Sequence, residues 1–209
     1  MKPSMTVDQR VVNSIQESLS VKQAILQSRE LIETVAAVGA ALAGALRGGR
    51  KIFFFGNGGS AADAQHLAAE LVGRFERERR ALPAIALGTN TSTLTAIGND
   101  YSYEAVFARQ LEALSSPGDV AVGISTSGRS PNVISAVRAG RKAGVITVGM
   151  TGLRGDELAA SADYCVRVPS DKTPRIQEAH ILIGHILCEI VEEELFDGSS
   201  FCMEKEISK

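Results

Sequence analysis

Four hydroxyls fall within six residues at Ser125-Thr126-Ser127-Gly128-Arg129-Ser130, just after the apolar run Val120 to Ile124 and before a helically patterned stretch, Val133 to Ala143. Hydroxyl and amide donors, a glycine that permits a tight turn and the positive end of a helix together form a nest for an anion, and a phosphate fits it. Ser130 is expected to cap that helix, with Pro131 in its first turn, where a missing N–H costs nothing. A plainer reading is that Ser130 only caps and the remaining hydroxyls decorate a polar loop. No Walker-type glycine-lysine pattern is present, which disfavours a nucleoside triphosphate. Arg129 either adds charge to the nest or is solvated.

A second loop, Gly56-Asn57-Gly58-Gly59-Ser60, follows the apolar run Ile52 to Phe55. Its glycines let a ligand approach the backbone, and Asn57 and Ser60 supply polar groups. The glycine register and the absence of a later acidic partner argue against a dinucleotide site. The helix expected over residues 61–73 then carries His66 and Glu70 at an i,i+4 spacing, able to chelate a metal, to act as acid and base, or merely to pair. The last helical segment, Arg175 to Phe196, carries Gln177, Glu178, His180 and His185. Residues 177 and 185 lie about 80° apart around a helix and about 12 Å along it, so their spacing alone makes no chelate. His180 reads equally as a ligand or as a satisfied helix-face histidine.

These residues need a scaffold, and the pattern around them supplies one. Apolar runs at 52–55, 84–87, 120–124, 145–149 and 164–168 read as five strands alternating with helical segments. That grammar predicts an α/β fold: one doubly wound, five-stranded parallel sheet flanked by helices. A long glycine-poor stretch from Val7 to Leu46 forms one or two amphipathic helices ahead of it, ended at Arg47-Gly48-Gly49. With 209 residues, 44% of them hydrophobic, the chain can bury one core, so residues 1–209 are taken as one domain, with 1–47 used in packing or assembly. The net charge of -2 offers no field for nucleic acid. No apolar run nears the roughly 20 residues of a membrane span, and the start lacks a signal peptide, so a cytoplasmic protein is expected. Cys165, Cys188 and Cys202 show no metal spacing and are read as reduced thiols, the first two buried.

Taken together, GNGGSAADAQHLAAEL, LPAIAL, LTAIGNDYSYEAVFARQ, GDVAVGISTSGRSPNVI and RIQEAHILIGHILCEIVEE resemble the phosphoheptose isomerases of the sugar isomerase (SIS) superfamily over nearly the whole chain. The resemblance implies interconversion of sedoheptulose 7-phosphate and heptose 7-phosphate at the entry to nucleotide-activated heptoses for surface polysaccharide. It implies sugar-phosphate contacts from Asn57, Gly58, Gly59, Ser60, Asn99, Asp100, Ser125, Thr126, Ser127, Ser130 and Gln177, with Glu70 and His185 as the acid-base pair. It also implies a zinc ion on His66, Glu70, Gln177 and His185. A homotetramer would let Gln177 and His185 reach His66 and Glu70 from another chain. A related adaptor, the DnaA initiator-associating protein, has similar motifs without the equivalents of Glu70 and His185, so their presence favours an enzyme. A non-catalytic sugar-phosphate sensor finds no support in a helix-turn-helix extension or a basic face, whereas an isomerase of a hexose or pentose phosphate is also compatible with these motifs.

Overall fold

The computed structural model describes residues 5–196; Cys202 lies outside them. Two helices open the chain, α1 (Val7–Gln27) and α2 (Arg29–Arg47), followed by β1 (Ile52–Gly56), α3 (Gly59–Val72), β2 (Ala84–Ala86) and α4 (Thr91–Asp100). A 3-10 turn at Tyr103–Ala105 leads into α5 (Val106–Leu114), β3 (Val120–Ile124), α6 (Pro131–Lys142) and β4 (Ile146–Thr151). Helix α7 (Asp156–Ser161), β5 (Tyr164–Arg167) and α8 (Thr173–Phe196) complete it. The break between the first two helices is local chemistry. Ser28 leaves helical geometry with ψ 95°, and its hydroxyl accepts the N–H of Leu31, starting α2 as α1 ends.

All five strands are parallel, in the order β2-β1-β3-β4-β5. Strands β1 and β3 are buried along their full length, as central strands covered on both faces must be. Alternate side chains feed two cores. Ile52, Phe54, Val120, Val122 and Ile124 meet α2, α3 and α8 through Leu42, Leu46, Leu67, Leu71, Ile183 and Leu187. Phe53, Phe55 and Ala121 meet Val106, Phe107 and Leu111 of α5 and Val133 and Val137 of α6. Helix α1 packs against α2 and α8 yet buries none of its own residues.

Strand β4 ends two residues beyond the apolar run and begins one residue later than it, because Gly144 turns with φ 75° and the Val145 N–H is spent on the Gly140 carbonyl oxygen. Cys188 is buried and Cys165 only half-buried; burial pushes their thiols up to about 12 and about 11. Both are therefore inert packing groups at neutral pH.

Candidate functional site

The strand order reverses between β1 and β3, and the crevice beyond the carboxyl ends of such strands is where open α/β sheets bind ligands. Register pairs Gly56 with Ile124, so the loops 57–60 and 125–130 leave the sheet side by side. Gly56 permits this: a Cβ there would lie 2.8 Å from the Ile124 carbonyl oxygen. An exchange of amides ties the loops together. Asn57 Nδ2 donates to Asn132 Oδ1 and Asn132 Nδ2 to Asn57 Oδ1, each at 2.9 Å, while the Tyr103 hydroxyl donates to Asn57 Oδ1 at 3.0 Å.

Within the second loop the hydroxyls converge. Ser125 Oγ lies 2.8 Å from Ser130 Oγ and 3.5 Å from Ser127 Oγ, and the Arg129 N–H donates to Ser127 Oγ at 3.2 Å. Ser130 holds the N-cap position of α6, but its hydroxyl makes no capping bond. The expected cap is thus replaced by a hydroxyl turned toward Ser125. Gly128, with φ 63°, packs where a Cβ would sit 2.3 Å from Gly155 Cα, so only glycine makes this turn. The first loop adds Gly58, with φ 56° as it enters α3, and the buried Ser60. Gly59 backs directly onto Gln177: a Cβ there would meet the Gln177 amide nitrogen at 2.4 Å.

A second constellation lies deeper along the same helix. Gly59 touches Gln177 and Leu67 touches Gly184, so α3 and α8 run parallel with their residue numbers rising together. Gly184 lets them close up, since a Cβ would lie 2.6 Å from Leu67 Cδ2. Their neighbours consequently meet. His66 Nε2 is 2.9 Å from His185 Nε2 and 3.1 Å from Glu70 Oε1, and ligand atoms of all three residues lie within 4.8 Å of one another. Two imidazoles and a carboxylate are the donor set of catalytic zinc sites, which leave a further position open.

A model of the SIS domain family matches residues 16–152. The phosphoheptose isomerase of Aneurinibacillus thermoaerophilus is 52% identical over 186 residues, 89% of this chain and 94% of that protein. The chain belongs to the phosphoheptose isomerases. The one from Aquifex aeolicus is 52% identical over 193 residues, 91% of this chain and 99% of that protein. The solved phosphoheptose isomerase of Neisseria gonorrhoeae superposes with a TM-score of 0.85 at 43% identity, covering 90% of this chain and all of that one.

Of the residues that resemblance to the phosphoheptose isomerases implies, two groups assemble and two residues stand apart. Asn57, Gly58, Gly59, Ser60, Ser125, Thr126, Ser127 and Ser130 belong to the paired loops, with Gln177 behind Gly59. His66, Glu70 and His185 form the deeper cluster, and His185 arrives from the same chain rather than from another. Gln177 does not join them, because it sits at the first residue of α3 and His66 is seven residues on, about 10 Å by helical rise. Asn99 and Asp100 close α4, where the Asn99 amide donates to Asp100 at 2.8 Å; among the described residues no hydrogen bond ties either to the two loops.

His180 is not in the cluster. It is 1% exposed with Nε2 3.2 Å from the Thr151 carbonyl oxygen, and burial drives its pKa down to about 4 despite that bond. It is a neutral anchor of α8 to β4. Sequence reasoning did not single out Asn132 and Tyr103, although both lie inside the quoted motifs. The missing signal is pairing across 75 and 46 residues, which no local spacing encodes.

Proposed function

We propose that the protein converts D-sedoheptulose 7-phosphate to D-glycero-D-manno-heptose 7-phosphate, the first step toward nucleotide-activated heptose, and works in the cytoplasm. The observation that carries this reading is the convergence of His66, Glu70 and His185 in a chain half-identical to phosphoheptose isomerases. No helix among the described residues is long and apolar enough to cross a membrane, in keeping with the proposed location.

Ketose-to-aldose conversion moves a proton between C1 and C2 through an enediol while protons shuttle on the two oxygens. Ser125, Thr126, Ser127 and Ser130 hold the phosphate, and Asn57, Gly58, Gly59, Ser60, Asn99, Asp100 and Gln177 bind the sugar. Glu70 transfers the carbon-bound proton and His185 serves an oxygen. His66, Glu70 and His185 are the residues that would hold a zinc ion, which when bound would polarise the substrate carbonyl. Gln177 completes that set only from a neighbouring copy.

Residues 1–209 act as one domain in a homotetramer, and two features support the assembly. Ser60 and Glu70 are ten residues apart on α3, about 15 Å by helical rise, so the phosphate loops and the cluster lie well apart within one chain. The phosphate loop of one chain then serves the cluster of another. Helix α1 exposes Val7, Val11, Val12, Ile15, Leu19 and Leu26, an apolar stripe suited to a subunit contact.

Supplying ketose phosphates of five, six and seven carbons, with and without a chelator, tests the reading. The seven-carbon ketose is expected to yield aldose fastest, and chelation to abolish turnover until zinc is restored. Turnover of none refutes the isomerase, and preference for a shorter sugar refutes the heptose.

A further inference from the structure

The segment that follows α3, residues 73–82, wraps around a buried ion pair with no part in the chemistry above. Arg79 Nε donates to Glu192 Oε1 at 2.7 Å, with the two side chains 0% and 2% exposed. Arg79 also donates to the carbonyl oxygens of Glu70 and Leu71 at 2.9 Å, Arg80 at 3.1 Å and Gly73 at 3.3 Å, several of them orphaned by the end of α3. The Glu192 carboxylate accepts the backbone N–H groups of Phe75, Glu76 and Arg77, each at 3.0 Å. Burial alone would raise the Glu192 pKa, but these three amides and Arg79 bring it below the ordinary value, so the pair is charged.

Desolvating two charges is expensive, and an apolar pair of similar volume often stabilises a fold at least as well. What this pair orders is more telling. Phe75 is the first residue whose amide Glu192 grips, and its ring stacks on the His185 imidazole, with centroids 5.3 Å apart and planes 28° from parallel. The same imidazole meets His66, with centroids 5.1 Å apart. Glu192 lies seven residues beyond His185 on α8, on the same face of the helix.

We propose that the Arg79–Glu192 pair is a positioning device: by gripping the amides of residues 75–77 it seats Phe75 on His185 and holds that imidazole in the rotamer that meets His66 and Glu70. Phe75, Arg79 and Glu192 are positioning residues, and their effect on turnover rests on the role given to His185 above. A stacked pair of this geometry biases a rotamer by up to about tenfold.

Phe75→Leu keeps apolar bulk and leaves the ion pair in place. It is expected to lower kcat about tenfold with KM within about twofold, because the phosphate is held elsewhere, while Phe75→Tyr restores wild-type turnover. A second readout needs no turnover. The chain has three histidines, so carbon-13 labelling at Cε1 of their rings in the full protein yields three signals. Phe75→Leu should move the His185 signal and leave that of buried His180 in place; Glu192→Gln should move it too and speed amide exchange at residues 75–77. An unmoved His185 signal in Phe75→Leu overturns the proposal, as does a moved signal with wild-type kcat. Should the wild-type protein turn over no ketose phosphate, the isomerase reading fails by itself, and the His185 signal still decides whether Phe75 positions that ring.

Discussion

The hydroxyl loop at 125–130 is one contiguous turn whose groups are aimed by their own backbone, whereas the imidazole-carboxylate cluster joins His66 and His185 across 119 residues through the packing of α3 on α8. The loop needs a strand behind it and one glycine with positive φ. The cluster needs two helices at close range, and Gly184 to let them approach. One region is therefore robust to changes in packing and the other is its direct product.

The largest expected effect separates their chemical roles. Glu70→Gln should cut kcat about a thousandfold with little change in melting temperature, as loss of a general base does, while Ser125→Ala should chiefly raise KM. Coexpressed so that they assemble together, the two variants should recover turnover at low substrate beyond the sum of what each shows alone; no recovery would place both regions of a working site in one chain.

Acid should strike the cluster's scaffold first. His180 anchors α8 with its pKa lowered to about 4 from the usual value near 6.5. Below the usual value the unfolded chain takes up a proton that the folded one refuses. This contribution is therefore intact above that pH and shrinks as pH falls toward 4, by about 3 kcal/mol in all. Denaturant titrations at pH 7 and pH 4 should show the loss, and His180→Gln should flatten it.

Gly184→Ala sharpens the comparison further. Its methyl would strike Leu67, so a destabilisation of about 2 kcal/mol is expected, with weakened zinc binding by calorimetry. Phosphate protection of the 125–130 loop should survive. The smallest effect concerns Ser130→Ala: a true helix cap costs about 1 kcal/mol when removed, whereas a hydroxyl turned toward Ser125 should cost under about 0.5 kcal/mol and instead raise KM.

Much of the fold was legible. Strands β1 and β3 emerge where uniform apolar runs meet glycine, because strands covered on both faces carry no polar alternation to blur them. The halves of the N-terminal stretch were harder to divide, since Ser28 is an ordinary polar residue until its hydroxyl is seen to start α2. Ser130 misled in the other direction. Its type and place before Pro131 suit a cap, and it does hold the N-cap position, yet its hydroxyl lies 2.8 Å from Ser125 Oγ and makes no capping bond.

The clearest division falls on the histidines. From the sequence alone came the α/β class, the hydroxyl nest and the i,i+4 pair of His66 and Glu70, all set by neighbours within a turn or two of chain. Tertiary structure decided that His185 joins that pair while His180 is locked neutral on Thr151 and Gln177 stays with Gly59. The physical reason is the parallel seating of α8 on α3: a helix alternates its faces every few residues, and only the partner it packs against determines which face becomes a site.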